Sequence, residues 1–306
     1  MSRAVIHETF GGPDVLEVRE VPEPHAGPGE VRIRVAAVGL NPMDGGIALF
    51  PEIAARFGIT LPAGFGCDFA GIVDEVGGGV SGVSVGERVF GGAIAKAAAE
   101  YIVLAMPHDV LLHTPDGISD EVASTVPVAG LTAVAALDAI GLHAGDTVLI
   151  GGAAGGVGVF AVQLARLIGA RVIGTASEGT FDFLRSLGAE PVAYGAGLVD
   201  RVGALAPGEV TAATDLFDTE VVEAALALGV RPERVSTIAA GPNPPGGVRA
   251  TGGFDARPEE LRRITDAIVA GAISVPIAAR FPLEQIRDAV TLQASRHVHG
   301  KVVVTI

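Results

Sequence analysis

The run "GGAAGGVG" at residues 151–158 constrains this chain more than any other stretch. It follows the β-branched segment "DTVLIGG" (146–152), which reads as a strand. It opens "GVGVFAVQLARLIGA", which reads as a helix with Val157, Ala161, Leu164 and Ile168 on one face and an end at Gly169. Gly155 and Gly158 have the spacing of a dinucleotide fingerprint, with Ala153 in the first glycine slot. Glycine permits the tight turn and lets a pyrophosphate approach the backbone. The helix start then offers free N–H groups and a positive dipole end. A purely structural turn is the alternative reading. The next strand, "RVIGTAS" (171–177), ends on Thr175, Ala176 and Ser177. No acid at the strand end itself opposes a ribose 2′-phosphate, which favours NADP(H) over NAD(H). Against that, Glu178 follows and no Arg or Lys stands beside it.

Around this motif the chain divides in two. Its 306 residues suit two domains of about 150 each. Residues 1–120 are β-rich with heavy Pro and Gly punctuation, as in "PEPHAGPG" (22–29). In "VRIRVAAV" (31–38), Val31, Ile33, Val35 and Ala37 alternate with Arg32 and Arg34, which predicts a half-buried strand in a small, barrel-like antiparallel domain. From Ser119 the pattern changes to strand–helix alternation, with Pro127 interrupting the first helix. Further strands are expected at 211–217 and 234–240, and helices at 181–189 and 258–271. That alternation predicts a doubly wound parallel sheet over 121–262, with 263–306 returning to the first domain.

Composition excludes several function classes. A formal charge of −14 repels phosphate backbones, so nucleic acid is not an expected partner. Thr147 to Ala165 is uncharged, but five glycines make it a strand, loop and buried helix, not a membrane span. A single cysteine forms no internal disulfide and suits a reducing cytoplasm. "MSRAVIHETF" lacks the basic start and apolar run of a signal peptide.

Seven stretches together resemble the medium-chain dehydrogenase/reductase superfamily, in its zinc-independent, quinone oxidoreductase-like branch. They are "GGPDVLEVREVPEPHAGPGEVRIRV", "GLNPMD", "GCDFAGIVDEVG", "VPVAGLTA", "GGAAGGVGVFAVQLA", "TASEGTFDFLRSLGAEPVAY" and "GKVVVTI". The resemblance implies an α/β chain: a GroES-like β-barrel catalytic domain and a Rossmann domain, with the cofactor in the cleft between them. It implies that Asn41 lies near the nicotinamide and Thr132 contacts the cofactor. Gly155, Gly156 and Val157 would hold the pyrophosphate, and Ser177 and Tyr194 would face the adenosine 2′-phosphate. Ala239, on the fifth Rossmann strand, would lie near the nicotinamide. Lys301 would lie near the cleft; a solvated lysine before a strand is the alternative. A homodimer is also implied. The chain departs from the family at Gly179, where a basic residue is common, and in "GGIALFPEIAARF", which lacks a Tyr and has no basic residue before Arg56.

The zinc members place a Cys near Met43 and a His at the position of Cys67. Catalytic zinc needs three protein ligands. Met43 is a poor one, Cys67 stands alone, and Asp68 replaces the usual Glu. Cys67 therefore reads as a buried packing thiol, and no zinc is expected. His297 and His299 ("HVH") fall on one side of an expected strand, without a third ligand. "GVSVG" (82–86) matches a hydrolase pattern but lies between strands and reads as a turn.

Without a Lewis acid, hydride delivery to an electron-poor acceptor is the less demanding chemistry. The expected function is NAD(P)H-dependent reduction of a quinone or quinone-like acceptor. An enoyl or alkenal reductase is the nearest alternative, and a nicotinamide-binding sensor the alternative of another class. Asn41 or a backbone N–H could stabilise a developing oxyanion, and Asp44 is the other side-chain candidate, with a capping role as its alternative.

Overall fold

A computed structural model describes all 306 residues. The chain forms two compact units, Met1–Val128 with Ile277–Ile306, and Ala129–Pro276. The boundary thus falls inside the first turn of helix Pro127–Ala139 rather than at 121. The chain returns at Ile277 rather than at 263, because helix Glu260–Val269 buries Leu261 and Ile264 within the second unit.

In the first unit, strand Glu30–Leu40 is the spine. Val31, Ile33 and Val35 alternate into the core at 0–3% exposure, as the β-branched pattern dictates. It pairs antiparallel with Asp68–Val76, Tyr101–Ala105 and Lys301–Thr305. Arg88–Gly92, Val110–His113 and Ile277–Pro282 complete a seven-stranded sheet. A second sheet of three strands orders Glu17–Val21, Ser2–His7 and Ala63–Gly64. Both sheets contribute to one apolar core that includes Val5, Ile33, Phe69 and Val304. Arg32 corrects the simple alternation: it is buried, not solvent-facing. Its guanidinium stacks 4.8 Å from the Tyr101 ring and pairs with Glu23, Asp74 and Glu75.

The second unit holds a six-stranded parallel sheet. Its order is Glu190–Ala193, Arg171–Ala176, Thr147–Gly151, Ala212–Asp215, Val235–Thr237 and Arg249–Ala250. Every residue of Thr147–Gly151 is buried, which is why it reads as a continuous apolar run. Helix Gly158–Ile168 follows, buries eight of its eleven residues, and ends on Gly169 at a left-handed C-cap. The strand order reverses on either side of Thr147–Gly151. This is a topological switch point, at whose carboxyl edge such sheets bind ligands.

Two strand expectations are corrected. The fifth strand stops at Thr237, so Ala239 lies beyond it, where the Thr237 hydroxyl accepts its N–H at 3.1 Å. His297 and His299 precede strand Lys301–Thr305 and lie outside any strand. Ser84 sits in a turn before Arg88–Gly92, not in a strand-to-helix elbow.

Candidate active site

Strand register assembles one buried polar cluster within the first unit. Gly39 pairs with Asp68, and Leu40 pairs with Val302. Asn41, the next residue of the central strand, is therefore flanked by Asp68 on one side and Lys301 on the other. Asn41 also caps helix Pro42–Leu49, with Pro42 at its first position. The Asn41 N–H donates to Asp44 Oδ2 at 2.7 Å. The Asn41 side-chain amide donates to Asp68 Oδ2 at 2.9 Å and to the Gly39 carbonyl at 3.2 Å. The Lys301 ammonium donates to Asn41 Oδ1 and, at 2.9 Å, to the Leu40 carbonyl. Asp68 also accepts the Val128 N–H at 3.1 Å.

This cluster is dry. Asn41, Asp44, Cys67, Asp68 and Lys301 are each 3% exposed or less. Burial raises Asp68 to about 7 against the pull of Lys301, and raises Asp44 to about 6. Burial lowers the Lys301 ammonium in turn, countered by the two carboxylates. The Cys67 thiol is pushed well up, first by burial and then by the Asp44 charge. Asp44 Oδ1 and His7 Nε2 are buried without a hydrogen-bond partner, and both residues line the same small recess.

Three of the expected residues, Asn41, Asp44 and Lys301, thus come together: Asp44 takes the capping role that was its alternative reading, whereas Asn41 and Lys301 are engaged in internal hydrogen bonds. Both Asn41 amide hydrogens and its oxygen are engaged inside the protein, so its side chain has no donor left for a substrate oxyanion. Lys301 is neither solvated nor free to reach a ligand, since its ammonium ties the closing strand to Leu40 and Asn41. The sequence motifs do not single out Asp68 as a site residue. The available signal was a carboxylate inside the apolar strand sequence "GCDFAGIV".

In the second unit, the remaining expected residues lie at the carboxyl edge of the parallel sheet. The glycine loop follows Thr147–Gly151, Ser177 follows Arg171–Ala176, Tyr194 follows Glu190–Ala193, and Ala239 lies beyond Val235–Thr237. Ala176 pairs with Ala193, so Ser177 and Tyr194 leave adjacent strands at the same level. Both are exposed, Tyr194 by 57%. The Ser177 and Thr180 hydroxyls are hydrogen-bonded at 2.7 Å. Gly155, Gly156 and Val157 are half-buried. Thr132 is buried on helix Pro127–Ala139, where a Cβ on Gly253 would come 3.0 Å from its hydroxyl.

Residues 27–116 match the alcohol dehydrogenase GroES-like domain, and residues 187–304 match a family described as zinc-binding dehydrogenase. A quinone oxidoreductase from Pseudomonas aeruginosa is 39% identical over 184 residues, 58% of this chain. The spectinabilin polyketide synthase protein NorB from Streptomyces orinoci is 40% identical over 186 residues, 59% of this chain. The match spans about half of the Pseudomonas protein's length, 54%, and 8% of the synthase. The solved quinone oxidoreductase from Coxiella burnetii superposes with a TM-score of 0.85 at 30% identity, over 100% of this chain and 99% of that one. This chain belongs to the quinone oxidoreductase-like branch of the medium-chain dehydrogenase/reductase superfamily. A mycobacterial protein solved in complex with NADPH superposes with a TM-score of 0.85 at 28% identity, over all of both chains.

Two groups that the superfamily uses can be tested against the residues present. The dinucleotide fits. Gly152 adopts φ +65°, and a Cβ on Gly158 would lie 2.4 Å from the Gly152 carbonyl oxygen, so the loop folds back on the helix start only with glycine there. Helix Gly158–Ile168 carries no acid in its first turn to compete with a phosphate. Catalytic zinc does not fit. Cys67 and Met43 pack in an apolar cluster with Ile47, Ala54 and Ala95. No three His, Cys, Asp or Glu side chains are grouped to hold a metal ion.

Proposed function

We propose that this protein is a zinc-independent NAD(P)H-dependent reductase that passes hydride to a quinone or quinone-like small molecule. The observation that carries this reading is the 151–158 loop at the switch point of the sheet, closed by Gly152 and Gly158. When bound, a reduced nicotinamide supplies the hydride; Gly155, Gly156 and Val157 would receive its pyrophosphate, and Ser177 and Tyr194 its adenosine end. NADP(H) is favoured over NAD(H), because Ser177 rather than an acid follows Ala176. The burial of Cys67 beside Asp44 supports a mechanism without a metal-bound alkoxide. The engaged amide of Asn41 supports positioning rather than side-chain oxyanion binding. Asn41, Asp44, Asp68 and Lys301 would hold the end of the central strand and the first helix in place, with the product's proton coming from solvent.

C=C reduction is the second reading, favoured by the likeness to the solved CurK enoyl reductase, 27% identical with a TM-score of 0.87 over 99% of both chains. No helix is long and apolar enough to cross a membrane, and a cytoplasmic homodimer is part of the proposal. Stopped-flow oxidation of NADPH against a quinone panel and an enone panel tests both readings. Faster turnover with quinones is expected. Turnover confined to enones selects the second reading, and NADPH binding without oxidation by any acceptor selects a sensor.

A further inference from the structure

The family position that commonly carries a basic residue beside the 2′-phosphate is Gly179 here, and it is exposed. The fold supplies a cation from another direction. Arg201, on helix Leu198–Leu205, turns its guanidinium into the loop that follows strand Glu190–Ala193. Its Nε and Nη2 donate to the Ala193 carbonyl at 3.0 and 2.8 Å. Nη2 also donates to the carbonyls of Tyr194 at 3.2 Å and Gly195 at 2.9 Å, and Nη1 to that of Ala196 at 2.8 Å. Four successive carbonyls thus converge on one planar fork, a geometry that arginine satisfies and lysine does not.

Arg201 makes no ion pair with any carboxylate, unlike Arg171 and Arg234; Arg166 and Arg249 of the same unit are likewise held by carbonyls, but by one each, not by four. Carbonyl dipoles satisfy its hydrogens without cancelling its charge. An unneutralised guanidinium therefore stands beneath the loop that begins at Tyr194, and Tyr194 and Ser177 leave adjacent strands at the same level. In this fold the end of the second strand receives the adenosine ribose. Nearby carboxylates oppose the effect: Glu178 follows Ser177, and Glu220 accepts the Gly195 N–H at 2.7 Å.

We propose that Arg201 is the specificity-determining cation of this site, selecting a 2′-phosphorylated dinucleotide by its charge while it holds the Tyr194 loop in shape. The inference rests on the dinucleotide reading above and goes beyond it by assigning the selection to one residue. Arg201 is a positioning residue, since most of its hydrogens are spent on the loop.

Dissociation constants without any acceptor test this separately from turnover. NADPH, NADH, 2′,5′-ADP and 5′-ADP are titrated into the wild type, Arg201→Met and Arg201→Lys. Arg201→Met is expected to weaken NADPH and 2′,5′-ADP by about tenfold more than it weakens NADH and 5′-ADP, whose smaller loss reports the loosened loop. Arg201→Lys, which keeps the charge, retains most of the preference. Raising salt erodes NADPH binding more than NADH binding in the wild type. An equal loss of NADPH and NADH in Arg201→Met would reduce Arg201 to a loop clamp and overturn the inference. So would a wild type with no preference, or an Arg201→Lys variant that folds and has none. If Arg201→Met does not fold, Arg201→Lys and the salt titration decide. A wild type that binds neither nucleotide defeats the dinucleotide reading itself, whereas NADPH preference without reductase turnover defeats only the proposed reaction.

Discussion

A lysine that is 2% exposed has to be held by something, and Lys301 is held by Asn41 and the Leu40 carbonyl, with Asp68 one amide away. Its removal leaves two acceptors unsatisfied and two buried carboxyls without their cation. Lys301→Met is therefore expected to cost about 3–5 kcal/mol, more at pH 8 than at pH 5, as read by urea unfolding at the two pH values. An equal loss at both would separate Lys301 from the carboxyls. Asp44 and Asp68 each contribute to the wild type's own pH dependence. Their folded values of about 6 and about 7 lie above the unfolded value near 4. The unfolded chain thus releases these protons first, and their contribution falls as pH rises from about 4 through about 7. Asp44→Asn stays neutral and is expected to flatten that slope by roughly 2–3 kcal/mol across the window. An unchanged slope would show that Asp44 does not titrate there. Asn41, Asp44 and Lys301 were legible because they stand in short recognisable motifs. Their mutual contacts were not, because Lys301 and Asn41 are 260 residues apart and only the antiparallel register joins them.

Elements whose signal is local were read closely. The 151–158 loop needed only a β-branched run, clustered glycines and an apolar helical face, all within 23 residues. Gly158→Ala would place a methyl 2.4 Å from a backbone oxygen that cannot swing aside. It is expected to cost on the order of 1–3 kcal/mol and to weaken NADPH binding at least about tenfold. Thermal unfolding and a fluorescence titration check this, and unchanged affinity would remove the loop from the dinucleotide site. Elements decided by distant partners were read less well. Strand 234–240 was expected to be longer than Val235–Thr237. After Thr237 the chain turns, and that residue's hydroxyl takes the N–H groups of Ala239 and Ala240. Arg32 fits a solvent-facing position by alternation, yet three carboxylates and Tyr101 bury it.

For the molecule as a whole, the two-part plan and the return of the last strand follow from the change in hydrophobic period near residue 119 and from "GKVVVTI". The exact division was not readable, because helix Glu260–Val269 carries an amphipathic pattern that either unit could bury. Family membership and the glycine loop together support nicotinamide-dependent reduction, and the proposal that it runs without zinc rests on Cys67 and Met43 packing in an apolar cluster. The most direct test is anaerobic stopped-flow oxidation of NADPH by a simple benzoquinone, using protein exhaustively treated with chelator. Quinone-dependent oxidation at the untreated rate is expected. Activity that disappears on chelation and returns with zinc, or no oxidation before or after chelation, would contradict the account.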